Sequence, residues 1–359
     1  MRTMSLITDA KAEALDIPMR KAFGIAGGAQ EHARNVLVTL TVHSTIHSTT
    51  ILGIGEGAPF PAFNGETQED VLASCAKVDL RDVDLEDTPL IRDRLRDASP
   101  SARCAIETAV IDARARLAKQ PLHVYLAGER GAETHLVTDI TITTGSVSDA
   151  RREARGFAAF STLKIKIGAG DVAEDIARLR AIREVRPDAR LLVDANAGMS
   201  LEDALRFERE TRATKIAMFE QPVRAWDDLV RFRRETGVLV AIDESVTSAD
   251  DVTRARTLGA ADAVNIKIMK SGIFEALAIA ERASREGLLR MIGGMVESRL
   301  AMGTSACIAA GLGGFSFIDL DTPLFLAEDP FTGGYAQTDE RLDLRPITQG
   351  HGLISSRRA

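Results

Sequence analysis

At 359 residues, with 45% hydrophobic and 27% charged residues, the chain has an ordinary globular composition and enough length for two domains around a large core. A net charge of −7, with no basic arm or stripe, excludes nucleic acid as an expected partner. No apolar run is long enough to span a bilayer, and Cys75, Cys104 and Cys307 are too scattered for a disulfide frame or a zinc site, so reduced thiols and a cytoplasmic location are expected.

The chain opens on MRTMSLITDAKAEALD, where charges interrupt every short apolar run, and no signal peptide is expected. Residues 5–17 and 36–46 read as antiparallel strands, and 66–77 and 101–119 as helices. Residues 1–125 are thus predicted to form an α+β capping domain.

From about residue 135, short β-branched runs alternate with longer Ala/Leu/Arg stretches of helical spacing. The strand candidates are LVTDITIT, STLKIKIG, RLLVDAN, IAMFEQP, LVAIDES, AVNIKIM, RMIGGMV and FSFIDLD. Residues 171–185, 201–211, 249–257 and 272–285 are examples of the intervening helices. Strands separated by helices pair in parallel, and the even spacing suits closure, so an α/β fold is expected: a (β/α)7β TIM-like barrel over residues 126–322. An open doubly wound sheet competes, but the first strand lacks the GxGxxG turn of a dinucleotide fold. Residues 323–359 hold short strands and turns and are expected to pack back on the capping domain.

The C-terminal ends of barrel strands form the active-site face, and charges recur there. The second strand carries Lys164 and Lys166, two apart and so on one side. The third ends in Asp194 with Asn196 following, the fourth in Glu220, the fifth in Asp243, the sixth in Lys267, and the eighth in Asp319 and Asp321. An Asp after a strand is often only a helix N-cap. Here Ser200 and Ser248 are better placed caps, and Glu is a weak one. In LKIKI the lysines alternate with apolar residues. Helices cover a barrel's outer face, so the lysines are expected inside, where a buried ammonium requires anionic partners.

Asp194, Glu220 and Asp243 on adjacent strand ends make an all-oxygen site suited to one Mg²⁺ ion. The metal and Lys164 would stabilise the negative charge that grows on a substrate carboxylate as its α-carbon loses a proton. Lys166 and Lys267 lie four strands apart and approach from opposite sides, the geometry that inverts a stereocentre. A lysine base must be neutral, and the ion and the second lysine are expected to lower its pKa.

These residues resemble the enolase superfamily in its muconate-lactonizing subgroup. The pieces that carry the resemblance are LKIKIG, VDANAG, FEQPV, AIDES and NIKIMKSGI, with GIGEGAP at 53–59, the helix AIETAVIDARARLAKQPL and a late GG…GLI tail. The resemblance implies that Asp194, Glu220 and Asp243 bind the metal, that Lys166 and Lys267 are the acid/base pair, and that Lys164 supports the substrate carboxylate. Glu244 would brace Lys267, with Asn196 also standing behind the first ring of ligands. The seventh strand, MIGGMVES, has no histidine, so the His–Asp dyad of the mandelate racemase subgroup is missing.

Asp319-Leu320-Asp321 is similar to the DxD motif of dipeptide epimerases such as L-Ala-D/L-Glu epimerase, where two aspartates hold the dipeptide's ammonium. Thr141 and the backbone of Gly294 match further substrate contacts of that family. Ala-Glu epimerases carry an arginine in a mobile loop near residues 20–30. Here FGIAGGAQEHARN has Gly27, Gly28, Ala29 and Gln30 there, and Arg34 belongs to the following strand. A dipeptide with a neutral second residue is therefore the expected substrate, and a homo-oligomer the expected assembly. The alternatives are N-acylamino acid racemase, o-succinylbenzoate synthase or muconate cycloisomerase, or a binding protein without chemistry.

Overall fold

A computed structural model of the chain describes residues 4–45 and 48–356. Its N-terminal part is a three-stranded antiparallel sheet of Ser5–Ile25, Gly28–Ser44 and Thr49–Gly57. The first two strands run well past the predicted ends and stay paired to Ile25↔Gly28. Segment 23–35 is therefore mostly paired strand, with a two-residue turn at Ala26–Gly27, instead of the expected open loop. Glycine is required at that turn: a Cβ on Gly27 would lie 2.4 Å from the Ala62 carbonyl oxygen. The predicted strand end at Ile46 falls outside the described residues.

GIGEGAP proves to be a packing device. Gly53, Gly55 and Gly57 face the long helix Pro100–Leu117, and a Cβ on Gly53 or Gly55 would lie 2.1 Å from the carbonyl of Ala109 or Ala105. The helix answers with small residues, Ala102, Ala105, Ala109 and Ala113, all fully buried. Helix and strand backbones meet almost directly.

Eight parallel strands follow, each bonded only to its sequence neighbours: Ile140–Ile142, Thr162–Lys166, Arg190–Asp194, Met218–Glu220, Val240–Ile242, Ala263–Ile266, Leu289–Ile292 and Phe317–Ile318. All seven connections are helical, from Val147–Gly156 to Arg299–Leu312, which gives the (β/α)7β order. The sheet curls until its edges meet: Asp139 N donates to Ile318 O at 2.9 Å and Leu320 N to Thr138 Oγ1 at 2.8 Å. LVTDITIT does not form one strand. His135–Val137 leaves to pair with Arg341–Asp343, and only Ile140–Ile142 enters the barrel.

The barrel interior is layered. Leu192, Met218, Ala241, Ala263, Met291 and Phe317 pack together as an apolar plug. Two residues further along each of the third to sixth strands come Asp194, Glu220, Asp243 and Asn265, so the period-2 rule stacks a polar layer on the plug. The C-terminal segment ties the parts together: Arg20 Nε donates to Leu326 O at 2.8 Å, and Leu122 N to Gly350 O at 2.7 Å. Among the described residues, no helix is long and apolar enough to cross a membrane.

Candidate active site

Leu163 and Ile165 face the outer helices, and Lys164 and Lys166 point into the barrel, 0% and 5% exposed. Lys164 Nζ lies 2.7 Å from Asp319 Oδ2, 2.8 Å from Glu220 Oε2 and 3.1 Å from Asp194 Oδ2. Lys166 Nζ lies 2.7 Å from Asp194 Oδ2 and donates to Asn196 Oδ1 at 3.3 Å. On the far wall Lys267 Nζ is 2.7 Å from Asp243 Oδ2 and 4.9 Å from the centre of the Phe63 ring, which the capping domain supplies. Lys166 and Lys267 line one cavity, together with Thr141, Gly294, Asp319 and Asp321. Phe23, Ile25, Phe60 and Phe63 close it from the capping domain, and Met295 and Met302 from the barrel.

The three acids predicted to hold the metal do lie on neighbouring strand ends, with Asp194 opposite Glu220 in register. Lys164 links Asp194 to Glu220, whereas Asp243 pairs with Lys267 and Lys270. The compact carboxylate triple among the described residues is a different one, Asp139, Asp319 and Asp321, with one oxygen from each inside 4.8 Å. The donor set of Asp194, Glu220 and Asp243 nevertheless fits a hard divalent cation. All three are fully buried carboxylates, and Glu220 Oε2 and Asp243 Oδ2 accept no well-formed hydrogen bond.

Charge shapes their protonation. Burial raises the Glu220 carboxyl to about 7, reinforced by Asp194. Asp194 bears the same burial, yet Lys166 and Lys164 hold it down at about 2. The same acids act on the lysines. Burial alone would depress Lys164 and Lys267, but the carboxylates around each raise them above the ordinary lysine value. The expected lowering presupposed a cation that competes for the same acids.

One predicted arrangement needs correction and another gains a partner. Glu244 feels the charge of Lys267, but its hydrogen bond is with Asn196: Oε1 accepts from Asn196 Nδ2 at 3.2 Å, and burial, with Asp243 and Asp194 nearby, raises it to about 8 against the pull of Lys267. Asp319 and Asp321 do not share a strand face, because the strand ends at Ile318 and Asp321 already has helical backbone angles before the turn Thr322–Phe325. The turn brings the carboxyl groups together all the same. Asp321 Oδ2 accepts from Thr141 N at 2.6 Å, and the Thr141 side chain is buried beside it. A Cβ on Gly294 would lie 2.4 Å from Met302 Cε, so a side chain there requires the flexible end of Met302 to move.

Sequence reasoning missed several contributors. Asn265 Nδ2 donates to Glu220 Oε1 at 2.6 Å, and Lys270 Nζ donates to Asp243 Oδ1 at 2.8 Å. Gln221 Oε1 accepts from Asp243 N at 2.8 Å and fastens the fourth strand end to the fifth. Asn196, Ala197 and Gln221 all take left-handed backbone angles beside the site, a conformation costing on the order of 1–3 kcal/mol each without glycine. Asn265 and Asp139 stand two residues before Lys267 and Thr141, so the alternation that found the lysines could have found them. Lys270 lies on a short helix and leaves no such trace.

A (β/α)7β barrel under a small capping domain, with acids and lysines on successive strand ends, is the enolase-superfamily arrangement. The chain belongs to that superfamily: residues 146–357 match the family described as "Enolase C-terminal domain-like". Among curated relatives, it is 43% identical to the aromatic dipeptide epimerase of Herpetosiphon aurantiacus, covering 95% of this chain and 97% of that one. It is 35% identical to the L-Ala-D/L-Glu epimerase of Thermotoga maritima, covering 95% and 99%. Among solved structures, the dipeptide epimerase of Enterococcus faecalis complexed with Mg and L-Leu-L-Tyr superposes with a TM-score of 0.89 at 28% identity, covering 97% and 99%.

Proposed function

We propose that this protein is a Mg²⁺-dependent dipeptide epimerase that inverts the α-carbon of the second residue and prefers a neutral, apolar one there. The observation that carries the reading is a single cavity holding Lys166 and Lys267 on its walls and Asp319 and Asp321 at one end. When bound, the ion would be held by Asp194, Glu220 and Asp243 and would polarise the substrate carboxylate. The dipeptide's ammonium is held by Asp319 and Asp321. One lysine Nζ takes the α-proton from one face, and the other returns a proton to the opposite face, so the configuration inverts with no net loss of hydrogen. Lys164, fixed by three carboxylates, contributes positive charge where the carboxylate oxygens gain negative charge.

The preference for a neutral second residue is supported by the apolar wall. Phe23, Ile25, Phe60 and Phe63 line the cavity, and among the described residues no arginine does. Arg34 is turned away toward Glu69, 3.0 Å off. The aromatic dipeptide specificity in the name of the 43% identical relative agrees, although a 35% identical relative is named for Ala-Glu.

Incubation with Mg²⁺ in D₂O tests both parts. Deuterium should enter the second α-carbon of L-Ala-L-Phe or L-Ala-L-Leu faster than that of L-Ala-L-Glu. A strong glutamate preference overturns the specificity; no exchange in any dipeptide overturns the epimerase.

A further inference from the structure

One buried acid beside the ammonium end of the cavity has no part in the chemistry above. Asp139 directly precedes the first barrel strand and is 2% exposed. Neither of its carboxyl oxygens accepts a hydrogen bond from any donor among the described residues. Its neighbours are of like charge, since Asp139, Asp319 and Asp321 each place an oxygen within 4.8 Å of the others. The three are not equivalent. Asp319 has the Lys164 ammonium at 2.7 Å and Asp321 has the Thr141 backbone N–H at 2.6 Å, whereas Asp139 has neither.

A carboxylate with no donor, beside two others, is the least favourable of the three to ionise. A carboxyl group that keeps its proton is instead a donor, and the nearby carboxylates are its natural acceptors. Charge balance agrees. With a dipeptide ammonium bound, these three groups share two cations, one of which, Lys164, also serves Asp194 and Glu220. One acid must stay neutral. Burial, then Asp319 and Asp321, raise the Asp139 carboxyl well above the usual range.

We propose that Asp139 is a positioning residue, whose O–H donates to Asp319 and holds that carboxylate between Lys164 and the place of the substrate ammonium. The inference rests on the reading of Asp319 and Asp321 as the ammonium pocket. It adds that a neutral donor beneath the pair, and not a third negative charge, sets the pocket's shape.

Steady-state kinetics of the Mg²⁺-loaded wild type, Asp139→Asn and Asp139→Ala on L-Ala-L-Phe tests it. Asparagine can donate as the protonated acid does, so Asp139→Asn should keep KM within about threefold, while Asp139→Ala should raise it about tenfold or more with kcat little changed. A purely structural role would not divide KM from kcat, nor be rescued by asparagine. If Asp139→Asn raises KM as much as alanine does, or if Asp139→Ala leaves KM unchanged, the proposal is overturned. Should the alanine variant not fold, Asp139→Asn decides alone, with a kept KM in favour and a tenfold rise against. A wild type that turns over no dipeptide removes the ammonium pocket itself and this inference with it.

Discussion

Asp243 balances two ammonium groups at once, Lys267 at 2.7 Å and Lys270 at 2.8 Å. Lysine 270 therefore remains to neutralise Asp243 when Lys267 is removed, and the variant should fold. Lys166→Ala and Lys267→Ala are each expected to lower epimerisation on the order of 10³-fold, the range for loss of a positioned acid or base. Deuterium exchange would separate the two: each variant should exchange the α-proton of at most one stereoisomer, and not the same one. Asp319→Asn should raise KM for dipeptides about tenfold or more by weakening a charge-assisted contact. On an N-acylamino acid, which lacks the ammonium, it should change KM little. The opposite ranking would favour the N-acylamino acid racemase reading.

Among the elements, two of the contacts that bind the long helix Pro100–Leu117 to its surroundings carry predictions. The first is the glycine face of Thr49–Gly57. Gly55→Ala drives a methyl group against a backbone carbonyl that cannot swing aside, so a loss of roughly 1–3 kcal/mol or more is expected in a denaturant melt. The second is Glu107, whose Oε2 accepts from Phe274 N at 2.9 Å at the start of the helix Ile273–Glu286. Burial raises this carboxyl from its ordinary 4.5 to about 7. The folded state thus holds the proton more tightly than the unfolded chain does. Its contribution to stability is complete below pH 4.5 and is lost as pH rises through 7. Glu107→Gln cannot ionise, so the variant should lack about 3 kcal/mol of the decline that melts between pH 5 and 8 show in the wild type.

In the whole molecule, the capping domain grips the rest of the chain through buried acids. Glu56 accepts from Ser298 N and Ala301 N, both at 3.0 Å, and so caps the helix Arg299–Leu312. Asp112 accepts from His351 N at 3.0 Å and holds the C-terminal segment. These grips set Phe23, Ile25, Phe60 and Phe63 over the barrel mouth. The charged layer beneath them carries more carboxyls than ammonium groups, and a bound cation would relieve that excess. Chelation should abolish activity reversibly and lower the melting temperature. Restoring Mg²⁺ at about a hundred times its dissociation constant should return about 2.7 kcal/mol of stability.

The barrel and most of its charged mouth are legible in the residues alone. Strand and helix periods are local properties, and a side chain two residues from a known inward position is inward as well. That rule, with the family resemblance, reached Lys164, Lys166, Asp194, Glu220, Asp243 and Lys267. Only the tertiary structure decided what lies where the strands stop. The turn after Ile318, and not a strand face, gathers Asp319 and Asp321; Asn196 is the hydrogen-bond partner of Glu244; Lys270 reaches Asp243 from a short helix. The hairpin 23–35 is hidden from the sequence for a related reason. Its strands pair with each other over a long span, and no short window of residues records a partner that far away. Protonation was equally out of reach, because Asp139, Glu220 and Lys267 take their charge states from neighbours on other strands, gathered only when the sheet curls.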